Sequence, residues 1–350
     1  MKEARDIVAI SFPFAAGVAL AQLSSVSLFH TSLALVAIML LLALAGILPG
    51  KISYALLFLA IGALCGSAGG FGAAELPLAE KALEKTDALI RSLPFKDEDK
   101  RELLRALLTG QREGLPKEMV AAFRAAGASH ILALSGLHLG IIYLFLGKVL
   151  TILGNGRAMS WVRSAVLIAA CCFYALMTGA APSIMRALLF ISLNEILRHC
   201  PGRRKSPLAV WCCALMVQLA FSPGVISSLG FQLSYLAMLG IFLLFPAMDG
   251  WYPREGRFEG PVRKIWSSMA LSISCQIFTA PLVWLRFRTF PKYFLLTNLL
   301  ALPLTSALMF SAVSCLLLSS LGLSPAWLPH AVEFLASLLI RCLGIIAAIS

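Results

Sequence analysis

The sequence predicts an all-α polytopic integral membrane protein, with about nine to eleven membrane elements, some of them broken or re-entrant. Three observations carry this. Of the 350 residues 59% are hydrophobic and only 13% charged, against roughly 45–50% and about 25% in soluble domains. Apolar stretches approaching the ~20 residues that a bilayer demands recur along the whole chain. Several are interrupted by glycine, proline and polar side chains where lipid would not tolerate open backbone, which points to broken helices lining a cavity.

Three spans come first, at about 7–23, 31–48 and 52–71. The first is read as a span and not as a cleavable leader, because more spans and no small-residue cleavage pattern follow it. Pro49, Gly50 and Lys51 make a tight turn between the second and third. Gly62, Gly66, Gly69, Gly70 and Gly72 end the third and permit close helix contact. Residues 75–128 differ, with ten basic and ten acidic residues between 75 and 124. Leu83, Leu89, Leu103, Leu104, Leu107 and Leu108 fall there at helical spacing, so two or three amphipathic helices outside the membrane are expected. A second membrane block follows, at about 131–153, 161–178, 183–197, 208–221, 226–246, 262–285, 294–318 and 327–349. The domain division expected is therefore 1–72, 73–128 and 129–350.

The net charge is +12. Lys2, Arg5, Lys51, Arg157, Arg163, Arg198, Arg203, Arg204, Lys205 and the stretch from Arg254 to Lys264 can all be cytoplasmic if 183–197 crosses the membrane. Arg286, Arg288 and Lys292 then fall outside. Either a later element is re-entrant or these three form an extracytoplasmic basic patch, and the sequence leaves both open. The surplus of basic residues after 129 fits cytoplasmic loops and equally a basic funnel for a polyanion.

The nine cysteines include no CxxC pair and lie mostly in apolar runs, so they read as small apolar fillers and not as disulfides or a zinc site. No cofactor and no metal are expected.

Polar groups concentrate in three places. The first is Ser129-His130-Ile-Leu-Ala-Leu-Ser135-Gly136-Leu137-His138, which is expected to open the fourth span. Ser135 and His138, three apart, share a helix face. His130 and His138 lie about 12 Å apart on a continuous helix, too far to share a metal. Ser135 and His138 also invite a nucleophile and base reading, but no Asp or Glu occurs between Glu118 and Glu195 to orient the histidine.

Gly179-Ala-Ala-Pro182-Ser183-Ile-Met-Arg186 is the second. Here a span is expected to break at Gly179 and restart at Ser183, presenting a helix N-terminus and Arg186 together, a combination that binds anions. The competing reading pairs Arg186 with Glu195 or lets it reach the interface. Third comes Ser222-Pro223-Gly224 with Gly230-Phe231-Gln232-Leu233-Ser234-Tyr235, where Gly230 is expected to break the helix. Gln276, Thr279, Pro281, Thr297, Asn298 and Pro303 continue the theme in later spans.

Taken in order, the segments His130–Leu139, Gly179–Ala187, Ser222-Pro223 with Gly230–Leu236, and Asn298–Pro303 resemble the competence domain of ComEC-type DNA-uptake channels. Thr109-Gly110-Gln111-Arg112 resembles a weakened form of that family's glycine-centred motif ahead of the first. The resemblance, over about 105–310, implies passage of one strand of transforming DNA through the bacterial inner membrane during natural competence. It implies a path lined by Ser135, His138, Pro182, Ser183, Arg186, Gln232, Ser234 and Asn298. Gly136, Gly179, Gly230 and Pro303 are its helix breaks or packing points.

The partners expected are single-stranded DNA, membrane lipids, a separate nuclease, a DNA receptor and a cytoplasmic helicase, with a homo-oligomer admitted. The OB-type barrel and the metallo-β-lactamase-like domain of full-length members have no counterpart, and no HxH pair occurs, so the chain is expected to be the membrane core and not an enzyme. Two alternatives stand beside the channel. One is a transporter of another anionic polymer or a lipid-linked glycan; the other is an intramembrane Ser/His hydrolase.

Overall fold

The computed structural model describes residues 2–24, 29–44, 50–68, 77–153, 156–200, 206–252, 259–288, 291–323 and 325–349. Among them there is no strand. In chain order the helices are α1 Lys2–Leu23, α2 Phe29–Leu44, α3 Gly50–Ala68, α4 Pro77–Arg91, α5 Glu98–Thr109, α6 Lys117–Ala125, α7 Ser129–Leu132 and α8 Gly136–Leu150. There follow α9 Arg157–Met177, α10 Pro182–Arg198, α11 Pro207–Phe221, α12 Leu229–Leu243, α13 Phe245–Asp249, α14 Glu259–Phe287, α15 Phe294–Ser320 and α16 Trp327–Ile349.

Each of the eleven apolar stretches of the sequence is met by a helix. Six of these, α1, α3, α9, α14, α15 and α16, are long and apolar enough to cross a membrane, and α2, α8, α11 and α12 are shorter apolar helices. The protein is a multi-pass, all-α membrane protein. Pro49, Gly69, Gly70, Gly72, Arg203, Arg204, Lys205, Arg254 and Arg257 lie outside the described residues.

The contacts divide the chain into two compact units that cut across the contiguous division of the sequence. One holds residues 1–74 and 189–242, the other 75–188 and 243–350. In the first unit α1 and α3 pack backbone to backbone. A Cβ on Gly17 would lie 2.0 Å from the Leu59 carbonyl oxygen, and one on Gly62 would lie 2.0 Å from that of Phe14. A Cβ on Gly66 would lie 2.8 Å from Ala21 Cβ and 3.0 Å from the Val18 carbonyl oxygen, and Gln22 Nε2 donates to the Gly66 carbonyl at 2.6 Å. Around this seam Phe14, Val18, Trp211, Leu215, Leu219 and Phe231 are buried together.

The second unit is built on α15 and α16. Ile90, Leu103, Leu104, Leu107 and Phe123, from the amphipathic segment, share one core with Leu308, Met309, Val332 and Leu339. The segment forms the expected amphipathic helices α4, α5 and α6, and its apolar face is buried against membrane helices. Its polar face is laced by ion pairs, Asp87 with Arg105 at 2.6 Å and Arg105 with Glu102 at 3.2 Å. Lys100 reaches Glu333 of α16 at 3.3 Å. Asp97 caps α5 by accepting from Asp99 N at 3.1 Å, and Gly110 ends it at φ 83°.

Three local expectations are corrected. The helix over 131–153 is not continuous: α7 stops at Leu132, Ala133 to Ser135 are extended or bent, and the span proper begins at Gly136. Gly230 does not break its helix, because α12 starts one residue earlier and runs through it; the interruption is the 3-10 turn Pro223–Ser227, ended at Ser228. The restart after Gly179 begins at Pro182, one residue before Ser183, since proline at the first helical position sacrifices no hydrogen bond. Pro281 and Pro303 lie inside α14 and α15, which continue past them.

Candidate functional site

In the second unit the sequence around Ser135 folds as a helix start and not as a helix face. Ser135 has extended backbone and is the N-cap of α8. Its Oγ accepts from Leu137 N at 3.3 Å, and its own backbone N–H donates to His138 Nδ1 at 3.2 Å. The Ser135 Oγ lies 3.0 Å from that same nitrogen. This is a capping box with histidine in place of the usual glutamate or glutamine. The cap, and not a shared helical stripe, brings the two side chains together.

Because Nδ1 accepts a backbone N–H, the proton of the neutral ring sits on Nε2. His138 is 1% exposed, and Nε2 has no hydrogen-bond partner among the described residues. A buried donor left open costs roughly 1–3 kcal/mol. No carboxylate orients the ring through Nε2, so the triad that a serine nucleophile needs is not assembled there.

The α9 to α10 connection supplies the second half. Gly179 at φ 78° and Ala180 at φ 51° are consecutive left-handed residues. Gly179 N donates to Leu176 O at 3.1 Å and Ala180 N to Ala175 O at 2.8 Å, which closes α9. Alanine there costs about 1–2 kcal/mol that glycine would not. The chain thus reverses in four residues, Thr178 to Ala181, and Pro182 and Ser183 form the first turn of α10.

One turn further on, Arg186 is 9% exposed. A side chain on Gly136 would begin 3.5 Å from Arg186 Nη2 and 3.3 Å from Ala187 Cβ. Gly136 therefore lets the guanidinium lie against the first turn of α8. A helix N-terminus and a guanidinium side by side are a combination that suits an anion.

Arg186 and Glu195 stand nine residues apart on α10, two and a half turns, and so point to opposite sides. Glu195 instead bonds Arg198 at 3.3 Å. The competing ion-pair reading of Arg186 fails on that geometry.

The other candidates are distributed. Asn298 lies in the second turn of α15, with Oδ1 buried and without a partner among the described residues. Gln232 and Ser234 belong to the first unit, where Gln232 Nε2 donates to the Ile226 carbonyl at 2.8 Å and so ties the 3-10 turn to α12. Tyr235 bonds Gln218 Oε1 at 2.9 Å and takes a bond from Trp211 Nε1 on its carbonyl at 3.2 Å, a packing role.

Sequence reasoning missed Tyr174 and read Thr297 only as one of the polar groups of a later span, yet both support the junction. Tyr174 OH donates to Leu108 O at 2.9 Å, and Thr297 Oγ1 to Ala126 O at 2.7 Å. Each satisfies a carbonyl at or near the C-terminal end of an amphipathic helix from a membrane helix. A hydroxyl in an apolar run was their only signal.

The fold and junction therefore define a multi-pass membrane protein with two helix N-termini and a buried arginine gathered in one unit. A family model described as Competence protein matches residues 107–350, and the chain belongs to that ComEC-type family. It is 28% identical over 227 residues to ComE operon protein 3 of Bacillus subtilis, covering 65% of this chain and 27% of that protein. With competence protein ComA of Neisseria gonorrhoeae it shares 29% identity over 177 residues, 49% of this chain and 25% of the relative. An uncharacterized protein of Aquifex aeolicus is 30% identical over 233 residues, 65% of this chain and 51% of its own length. The chain thus spans about a quarter to a half of the curated relatives it matches. No solved structure matches it.

Proposed function

We propose that this chain passes single-stranded DNA across the bacterial inner membrane during natural transformation. The carrying observation is the placement of Arg186 against the first turn of α8, next to the first turn of α10. Two helix N-termini and a guanidinium suit successive phosphates of a strand, each met by backbone N–H groups and charge. The open Nε2–H of His138, in the first turn of α8, adds a donor. Membership of the competence family supports the strand as the anion.

Pro182 and Ser183 shape the α10 terminus in this reading, while Asn298, in the same unit, gives a sequence-tolerant polar contact of a strand path. Ser135 acts as a helix cap and not as a nucleophile. A carrier for another anionic polymer would use the same junction, and the experiment tells the two apart.

The test is transformation by added DNA in a deletion strain carrying either the parent chain or Arg186→Ala. Loss of one charged contact corresponds to about 1.5–3 kcal/mol, so transformation is expected to fall roughly ten- to a hundredfold at equal protein level, with partial recovery in Arg186→Lys. Normal transformation of the deletion strain rejects the proposal. Normal transformation by Arg186→Ala removes the junction from the path.

A further inference from the structure

The three basic residues that the sequence left unassigned, Arg286, Arg288 and Lys292, are all exposed. Their side of the membrane follows from the second unit alone. Helix α14 has 29 residues, about 43 Å of rise, against a hydrocarbon core of about 30 Å. By length and composition it can cross the membrane, which places its two ends on opposite sides.

Arg263 and Lys264 stand at its beginning, and Lys148 and Arg163 stand near the α8 to α9 connection; we adopt the orientation that puts both of these ends in the cytoplasm. Arg286, Arg288 and Lys292 then face outward. The placement agrees with their neighbours. A side chain on Gly127 would begin 2.6 Å from Pro291 Cβ, and Thr297 at the start of α15 bonds Ala126. The connection from α14 to α15 thus adjoins the turn that leads through α7 into the Ser135 cap.

Helix termini alone do not account for these charges. A cation in the last turn of α14 complements its dipole, which covers Arg286. Arg288 has φ 54° and donates its N–H to Trp284 O at 3.0 Å, the position that closes a helix and that glycine fills without strain. Arginine there costs about 1–2 kcal/mol. Lys292 lies two residues before Phe294, the first residue of α15, where a positive charge opposes that helix's dipole. Three cations in one short outer connection also run against the charge bias of short loops.

We propose that Arg286, Arg288 and Lys292 form an outer capture patch for the phosphates of a single-stranded nucleic acid, on the same end of the unit as the α8 cap and Arg186. This rests on the functional reading above. Such a patch raises the local concentration of strand at the mouth and is screened by salt.

The test uses the full chain in nanodiscs, a fluorescent 30-nucleotide oligothymidylate, and the triple variant Arg286→Gln, Arg288→Gly, Lys292→Gln. Glycine at 288 relieves the positive φ, so the variant is expected to fold at least as well as the parent. With about 0.7 per phosphate contact in single strands, the slope of log affinity against log salt should become shallower by about 2. Lys292→Cys should react with a membrane-impermeant maleimide in intact cells above the background of the parent chain.

An unchanged slope and affinity, or labelling of Lys292→Cys only after permeabilisation, overturns the patch. So does a variant that loses binding to phosphatidylglycerol vesicles but keeps that to oligonucleotide, which would assign the charges to lipid headgroups. If the triple variant is normal while Arg186→Ala transforms poorly, the patch fails and the strand path stands. A parent chain that binds no oligonucleotide overturns both.

Discussion

The seam between α1 and α3 in one unit and the junction of α8 with α10 in the other are both built on glycine, for opposite physical reasons. In the seam, Gly17 and Gly62 face backbone carbonyls 2.0 Å from where a side chain would start. Nothing but hydrogen fits, and the backbone cannot retreat. At the junction Gly136 meets only side chains, at 3.3 and 3.5 Å, and Gly179 meets nothing within 4 Å. There glycine makes room for a charge and a chain reversal. The difference teaches that a glycine-rich span marks rigidity or function according to what stands opposite it.

That contrast can be broken by substitution. The largest effect is expected at the seam: Gly62→Val drives a branched side chain into the Phe14 carbonyl and should cost more than about 3 kcal/mol, because overpacking against fixed backbone cannot relax. Size-exclusion of a fluorescent fusion should show loss of the folded peak, and a normal peak would mean the seam is looser than described. Gly136→Ala, which meets movable side chains, should leave that peak in place.

Next comes the cap. Ser135→Ala should lower stability by about 1 kcal/mol, whereas Ser135→Asn keeps a capping oxygen and should retain both stability and transformation. Thermal unfolding in detergent with a transformation assay decides it; transformation lost in a well-folded Ser135→Asn would return Ser135 to the role of nucleophile.

The smallest effect is a gain. Ala180→Gly removes the left-handed alanine and should stabilise by up to about 1 kcal/mol, read as a rise in melting temperature with transformation unchanged. A fall would show that the methyl group packs against something essential.

Much of the fold was legible because lipid restricts backbone so severely. All eleven apolar stretches became helices, and the amphipathic leucines from Leu103 to Leu108 became a buried face. Helix interruptions were read less well. Gly179-Ala-Ala-Pro182 announced itself, since proline forces a first turn. Gly230 misled, because a glycine inside an apolar helix is tolerated and the true stop was the Ser222-Pro223 turn before it.

Ser135 and His138 were paired correctly for the wrong reason. Spacing of three suits a shared face and equally a capping box, and only the extended backbone of Ser135 separates them. The partners of Tyr174 and Thr297 could not be read, because the carbonyls they satisfy belong to Leu108 and Ala126, far away in the chain.

By itself the sequence determined that this protein lives in a membrane, that its spans are helical, and that its motifs belong to the competence family. Those properties follow from local composition and from order along the chain, and a bilayer leaves few alternatives to either. Only the tertiary structure decided that 189–242 groups with the first three helices, that Arg186 faces the α8 terminus and not Glu195, and that Pro291 and Thr297 adjoin the end of α6. These depend on contacts between residues distant in sequence, whose energies come from packing and charge in three dimensions and leave no periodic trace in the chain.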